Sequence, residues 1–130
     1  MIDTAIYTLL SNASAITALV STRIYPLPSL QADQNITYPC VTYNVSEDGA
    51  ESSFDGQGTF ERVSIEIDAW GDTYQSMGDI ADAIKTAVKN YSGTVSGVII
   101  DQITIDSTVS VYEDQIEKYR RTLIATLQRR

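Results

Sequence analysis

Between Phe60 and Trp70 the chain alternates: Val63, Ile65, Ile67 and Ala69 are separated by Arg62, Ser64, Glu66, Asp68 and Trp70. A period of two sends successive side chains to opposite faces, so this stretch predicts a strand with one apolar face. After Gly71-Asp72 the period lengthens. Tyr74, Met77, Ile80, Ala81, Ile84, Ala87 and Val88 recur at steps of three and four, which predicts a helix reaching Asn90 with one buried stripe. Asp72 and Gln75 stand at the spacing of an N-cap and its third helical residue. A strand feeding straight into a helix that can fold back over it is the core-building unit of this sequence.

The flanking patterns are similar in kind. Ile2, Ala5, Ile6, Leu9 and Leu10 form a helical stripe ending near Ser11-Asn12, and Ser14 can cap a second helix over Ala15 to Val20, with Ile16, Leu19 and Val20 turned inward. Arg23 to Leu27 is a short extended piece stopped by Pro26 and Pro28, and Ser29 to Thr37 reads as a polar surface loop. In Tyr38 to Val45, Cys40, Thr42 and Asn44 share one strand face, and Val41, Tyr43 and Val45 the other. Ser46 to Thr59 holds three glycines and four carboxylates but no basic residue, and reads as a long flexible loop or a protruding hairpin. Phe54 is its only large apolar residue, fit to anchor the loop on its own domain or to insert into a partner. Beyond the Tyr91 to Gly97 turn, Val98 to Asp106 and Ser107 to Tyr112 are rich in β-branched residues. Glu113 to Glu117 is an acidic turn, and Tyr119 to Gln128 is a closing strand. The order is helices, strands, helix, strands, without internal repeat or domain boundary. It predicts one α+β domain over residues 1–130, with helices and one long central helix on one face of a mainly antiparallel or mixed sheet.

Composition narrows the picture. The 130 residues suffice for one core, and the 43% hydrophobic content is ordinary for a folded domain. No apolar run approaches the roughly 20 residues that span a bilayer. Met1-Ile2-Asp3-Thr4 carries no basic segment or cleavage pattern, so the expected setting is a cytoplasm, unless the protein leaves as part of an assembly. The Asn-X-Ser/Thr triplets at Asn12, Asn35, Asn44 and Asn90 then read as accidents of a Ser/Thr-rich chain. Cys40 is the single cysteine and cannot form an internal disulfide.

The net charge of −8 is unevenly spread. All 17 acidic residues precede Lys118, whereas Lys118, Arg120, Arg121, Arg129 and Arg130 crowd the end. An acidic body argues against sequence-specific DNA binding, which needs a basic face. The basic end is either a strand with a solvated outer face or a surface that meets the acidic side of a neighbouring subunit.

Chemistry is sparse. The chain has no histidine, which removes Ser-His-Asp and Cys-His arrangements and, with one cysteine, nearly every zinc site. Gly56-Gln-Gly58 completes neither phosphate-binding pattern. Glu66 and Asp68 lie two apart on one strand face, close enough for acid–base work or a hard metal, or simply a polar face or subunit interface with Arg62 as partner. Glu47, Asp48, Glu51 and Asp55 lack the spacing of a calcium loop. Trp70 falls on the polar face, either packed against the following helix start or Tyr74, or serving as an anchor in a subunit contact. No catalytic, metal or cofactor site is assigned, and no enzyme is expected.

The order of these pieces resembles a known family. The N-terminal helix, Ala18-Leu-Val-Ser-Thr-Arg-Ile-Tyr-Pro-Leu27, the Tyr38-Pro-Cys-Val-Thr-Tyr43 strand, Arg62 to Trp70, the helix opened by Thr73-Tyr74 and the closing Tyr119-Arg-Arg-Thr-Leu123 are similar to the tail completion, or tail terminator, proteins of long-tailed bacteriophages. The resemblance implies a non-enzymatic virion protein forming a homo-hexameric ring, made in the host cytoplasm, at the head-proximal end of the tail. Its implied partners are the tail tube protein and a neck or head-completion protein, with DNA passing through the lumen and no membrane involved. On that reading Glu47, Asp48, Glu51, Phe54 and Asp55 form a partner or lumen loop, and Arg62, Glu66, Asp68, Trp70, Arg120 and Arg121 supply inter-subunit contacts. A portal-side neck adaptor ring and a monomeric cytoplasmic ligand-binding domain are the alternatives.

Overall fold

The computed structural model describes residues 2–26, 38–53, 56–114 and 116–129. Its elements are α1 (Ile2–Ser11), α2 (Ser14–Val20), β1 (Ile24–Pro26), β2 (Cys40–Ser53), β3 (Gly56–Gly71), α3 (Tyr74–Val88), β4 (Gly93–Val95), β5 (Val98–Glu113) and β6 (Lys118–Arg129). The strands form one sheet in the order β1-β2-β3-β6-β5-β4. Every pairing is antiparallel except β1 with β2, which is parallel. The α+β architecture, with a mostly antiparallel sheet and N-terminal helices, is the one the hydrophobic pattern predicts.

The core lies between the sheet and the helices. Val63, Ile65, Ile67 and Ala69 on β3 are buried, as are Val41 and Tyr43 on β2 and Leu123, Ala125 and Leu127 on β6. The register sets Ile67 between Tyr43 and Leu123, and Ile65 between Val45 and Ala125, so one face is continuously apolar. Onto it α3 brings Met77, Ile80, Ala81, Ile84 and Val88, and α1 brings Ile2, Ala5, Ile6, Leu9 and Leu10.

Several local expectations are revised. The N-cap of α3 is Thr73, whose hydroxyl accepts from the Ser76 N–H at 3.0 Å, while Asp72 turns to an ion pair with Lys118. Gly71 is required here because a Cβ would stand 2.5 Å from the Met77 nitrogen, where the helix passes over the strand end. Leu19 is 39% exposed rather than buried, because a two-turn helix contacts its neighbours along one line and Ile16 and Val20 occupy it. Tyr74 opens α3 but lies off the core stripe, 60% exposed.

The two predicted strands after Gly97 are a single β5 with a register shift between Ile105 and Ser107. Asp106 sits at that irregularity and accepts a hydrogen bond from the Thr126 hydroxyl at 2.6 Å. Over 46–59 the backbone continues β2 to Ser53 and resumes as β3 at Gly56, with register shifts on either side of Ala50.

Candidate functional site: the polar face of the sheet

The side chains that alternate with the core residues point to the sheet's other face. Antiparallel register places Cys40 beside Trp70, Thr42 beside Asp68 and Asn44 beside Glu66, and on the other side Arg120 beside Trp70 and Thr122 beside Asp68. Residues opposite one another in adjacent strands share a face, so these form a compact polar cluster across three strands. Thr42, Asp68, Trp70 and Thr122 are buried.

Asp68 is the centre of the cluster. It accepts hydrogen bonds from the hydroxyls of Thr42, at 3.3 Å, and Thr122. The Trp70 indole N–H donates to the Thr42 hydroxyl oxygen at 3.0 Å, so Thr42 passes one hydrogen bond on and receives another. Burial pushes the Asp68 carboxyl above its ordinary value, a shift opposed by the Thr122 hydrogen bond, the Arg120 charge and the Thr42 hydrogen bond. Glu66 is raised as well, first by burial and then by the Asp68 charge, with Arg120 acting against it. The Cys40 thiol is pushed up to about 12, chiefly by burial, so it stays protonated.

Trp70 is 7% exposed and packs, but neither against the helix start nor against Tyr74. Its neighbours are the Tyr38 ring, at 6.0 Å between centroids, and the Arg120 guanidinium, 5.5 Å above the indole. The cation close to Glu66 and Asp68 is Arg120, not Arg62. Arg62 is paired in register with Gln128, six residues up β3 from Asp68 and roughly 20 Å away. Arg120 also meets Glu113 at 3.0 Å, and Lys118 meets Asp72 while standing over the Tyr38 ring.

Arg121 points the other way. On the helix side it donates to Ser110 at 2.9 Å and to the Tyr74 hydroxyl at 3.2 Å, beside the Tyr74–Tyr119 and Tyr112–Tyr119 ring pairs. The structure therefore brings Glu66, Asp68, Trp70 and Arg120 together and leaves Arg62 and Arg121 apart from them. Thr42, Thr122, Glu113 and Tyr38 are the participants that sequence reasoning missed. Alternation alone gives each residue a face, but only the strand register gives it a neighbour.

Glu47, Asp48 and Glu51 belong to the distal half of β2, whereas Phe54 and Asp55 lie outside the described residues. Among the described residues no group of three or more His, Cys, Asp or Glu side chains could hold a metal ion, and no helix is long and apolar enough to cross a membrane. A groove of about 510 Å³ runs between the α1–α2 turn, the end of α3 and β4. Its lining includes Thr8, Asn12, Tyr91 and Ser96 but no carboxylate or cation, so it supplies no acid–base pair.

Fold and cluster together describe a scaffold module, a sheet backed by helices on one face and carrying on the other, among the described residues, a polar and internally hydrogen-bonded cluster. The chain belongs to the family of tail completion protein gp17, whose model matches residues 4–124, and it is a structural virion tail protein. Among solved structures it is similar to a chain of the virion of a native gene transfer agent particle, with a TM-score of 0.73 at 16% identity, covering 96% of this chain and 91% of that one. A second solved chain matches with a TM-score of 0.64 at 14% identity, covering 99% and 93% respectively. At these identities the likeness is one of fold. No curated protein matches by sequence.

Proposed function

We propose that this protein forms a homo-hexameric ring that caps the tail tube at its head-proximal end and offers the surface on which the neck or head-completion protein docks. The family match over residues 4–124 carries this reading. The charge is consistent with it: a chain of net charge −8 lining a channel repels phosphates and lets DNA pass without sequence-specific contact. A ring of identical subunits needs heterologous contacts, in which two different surfaces of the same chain meet.

Asp68 and Trp70 are enclosed by their own chain, so in this reading they shape the polar face rather than touch the neighbour. Arg62 is exposed, and Glu66, Arg120 and Arg121 keep partly exposed side chains available for contact. The acidic hairpin over 46–59 is the element proposed to reach the tube or the lumen. Deleting Ala50 to Gly58 should leave the ring intact and block the joining of tails to heads. Normal joining by the deletion variant would refute the hairpin's role. Electron microscopy of this protein in place on the virion tests the ring directly: a six-fold ring at the head-proximal tail end is expected, and a twelve-fold ring on the portal side would favour a neck adaptor.

A further inference from the structure

We infer that two open strand edges of this sheet, the outer edges of β2 and β5, pair with each other between successive copies of the chain; the inference rests on the ring reading. β1 flanks β2 only at Val41 to Tyr43, and β4 flanks β5 only at Val98 to Ile100. The Asn90 N–H adds one bond to the Ile103 carbonyl. Among the described residues no strand lies alongside the outer edge of Asn44 to Ser53 in β2 or of Thr104 to Glu113 in β5. The two stretches are equal in length.

An open edge presents a row of unpaired N–H and C=O groups, which proteins that must remain apart guard with charged side chains, Pro or bulges. Neither stretch contains Lys or Pro; in β2 the carboxylates Glu47, Asp48 and Glu51 and the register shifts all lie beyond Ser46, which leaves Asn44 to Ser46 unguarded. Below its irregularity at Asp106, β5 runs Ser107-Thr-Val-Ser-Val-Tyr-Glu113, β-branched and uncharged until its last residue, with Val109 51% and Val111 37% exposed. This is the composition of a strand suited to take a further partner.

Strand direction selects which edges meet. From β2 through β3 and β6 to β5 the four long strands alternate in direction. Because four is even, β5 of one copy and β2 of the next run antiparallel whenever both copies point the same way along a shared axis. That is the condition for a cyclic ring, whereas pairing β5 with β5 gives a two-fold contact that stops at a dimer.

The offset between the two open stretches agrees with closure. Through Arg120 and Trp70, Val111 is level with Cys40. Setting Val111 opposite Ser46 of the neighbour places Glu113 opposite Asn44, clear of β1, keeps like faces of the sheets continuous and displaces that neighbour by six residues, roughly 20 Å. Across four strands, roughly 19 Å wide, this displacement is a strand tilt of about 46°, at the upper end of the tilt found in closed sheets.

The test is a disulfide placed across the proposed pairing. The buried Cys40, held protonated, can remain in place. In rings on purified tails, oxidised Ser46→Cys/Val111→Cys should run on a non-reducing gel as a ladder up to the full ring, and each single variant should run as monomer. Dimers formed by Val111→Cys alone would overturn the pairing in favour of a two-fold β5 contact. Rings whose amides over 104–113 exchange with deuterium as fast as in the unassembled chain would also overturn it, while leaving the ring reading standing. Tails in which this chain is found only as a monomer would overturn the ring reading and the pairing with it.

Discussion

Asp68 is a carboxyl that folding has placed where its charge is unwelcome, and the hydroxyls of Thr42 and Thr122 offset part of that cost. Its raised pKa has a defined sign. The folded state holds the proton more tightly than the unfolded chain, so the stability linked to this group is fully present below the ordinary carboxylate value and is lost as pH rises through the folded value. In denaturant unfolding between about pH 4 and 7, the wild type should lose stability relative to Asp68→Asn as pH rises. Parallel curves would mean that Asp68 is ionised equally in both states. The adjoining indole should be separable into two effects. Trp70→Phe removes the donor to Thr42 and should cost about 1 kcal/mol, whereas Trp70→Ala also empties a buried site and should cost about 3–5 kcal/mol, both read from unfolding midpoints.

The joint between β3 and α3 is the element on which the core depends. β3 ends at Gly71, Asp72 leaves to meet Lys118, and Thr73 caps the helix. Thr73→Ala should cost about 1 kcal/mol through the loss of one cap. Gly71→Ala should cost more, about 1–3 kcal/mol, because its methyl meets helix backbone rather than a movable side chain. Calorimetry of the two variants orders them, and equal melting temperatures would refute the close-approach argument.

At the scale of the whole molecule, the separation of charge along the sequence is partly closed within the fold. Lys118 and Arg120, from the basic end, find Asp72 and Glu113 in the acidic body. Arg120→Glu should therefore weaken the monomer itself, by setting like charges against Glu113 and removing the cation over Trp70. Arg121, which donates to the hydroxyls of Ser110 and Tyr74 rather than to a carboxylate, is the better probe of the ring. If it contributes to subunit attraction, Arg121→Glu should weaken the ring, with a deficit that changes as ionic strength rises. A sedimentation profile unchanged from the wild type at every salt concentration would remove Arg121 from the interface.

Most of the apolar core was legible in the sequence, with Leu19 and Tyr74 as exposed exceptions. The two-residue period of β3, the stripe of α3 and the stripe of α1 were legible because burial of one face is a local rule, repeated every two or every three to four residues. Alternation also put Glu66, Asp68 and Trp70 on one face. It did not show that Asp68 would be enclosed by Thr42 and Thr122, or that Arg120 rather than Arg62 would approach it. Those contacts join residues 26 and 54 positions apart in the chain, and they depend on strand order and register. The open edges of β2 and β5 were equally hidden. An edge is defined by the strand that is not beside it, and only the assembled sheet decides which strands are neighbours.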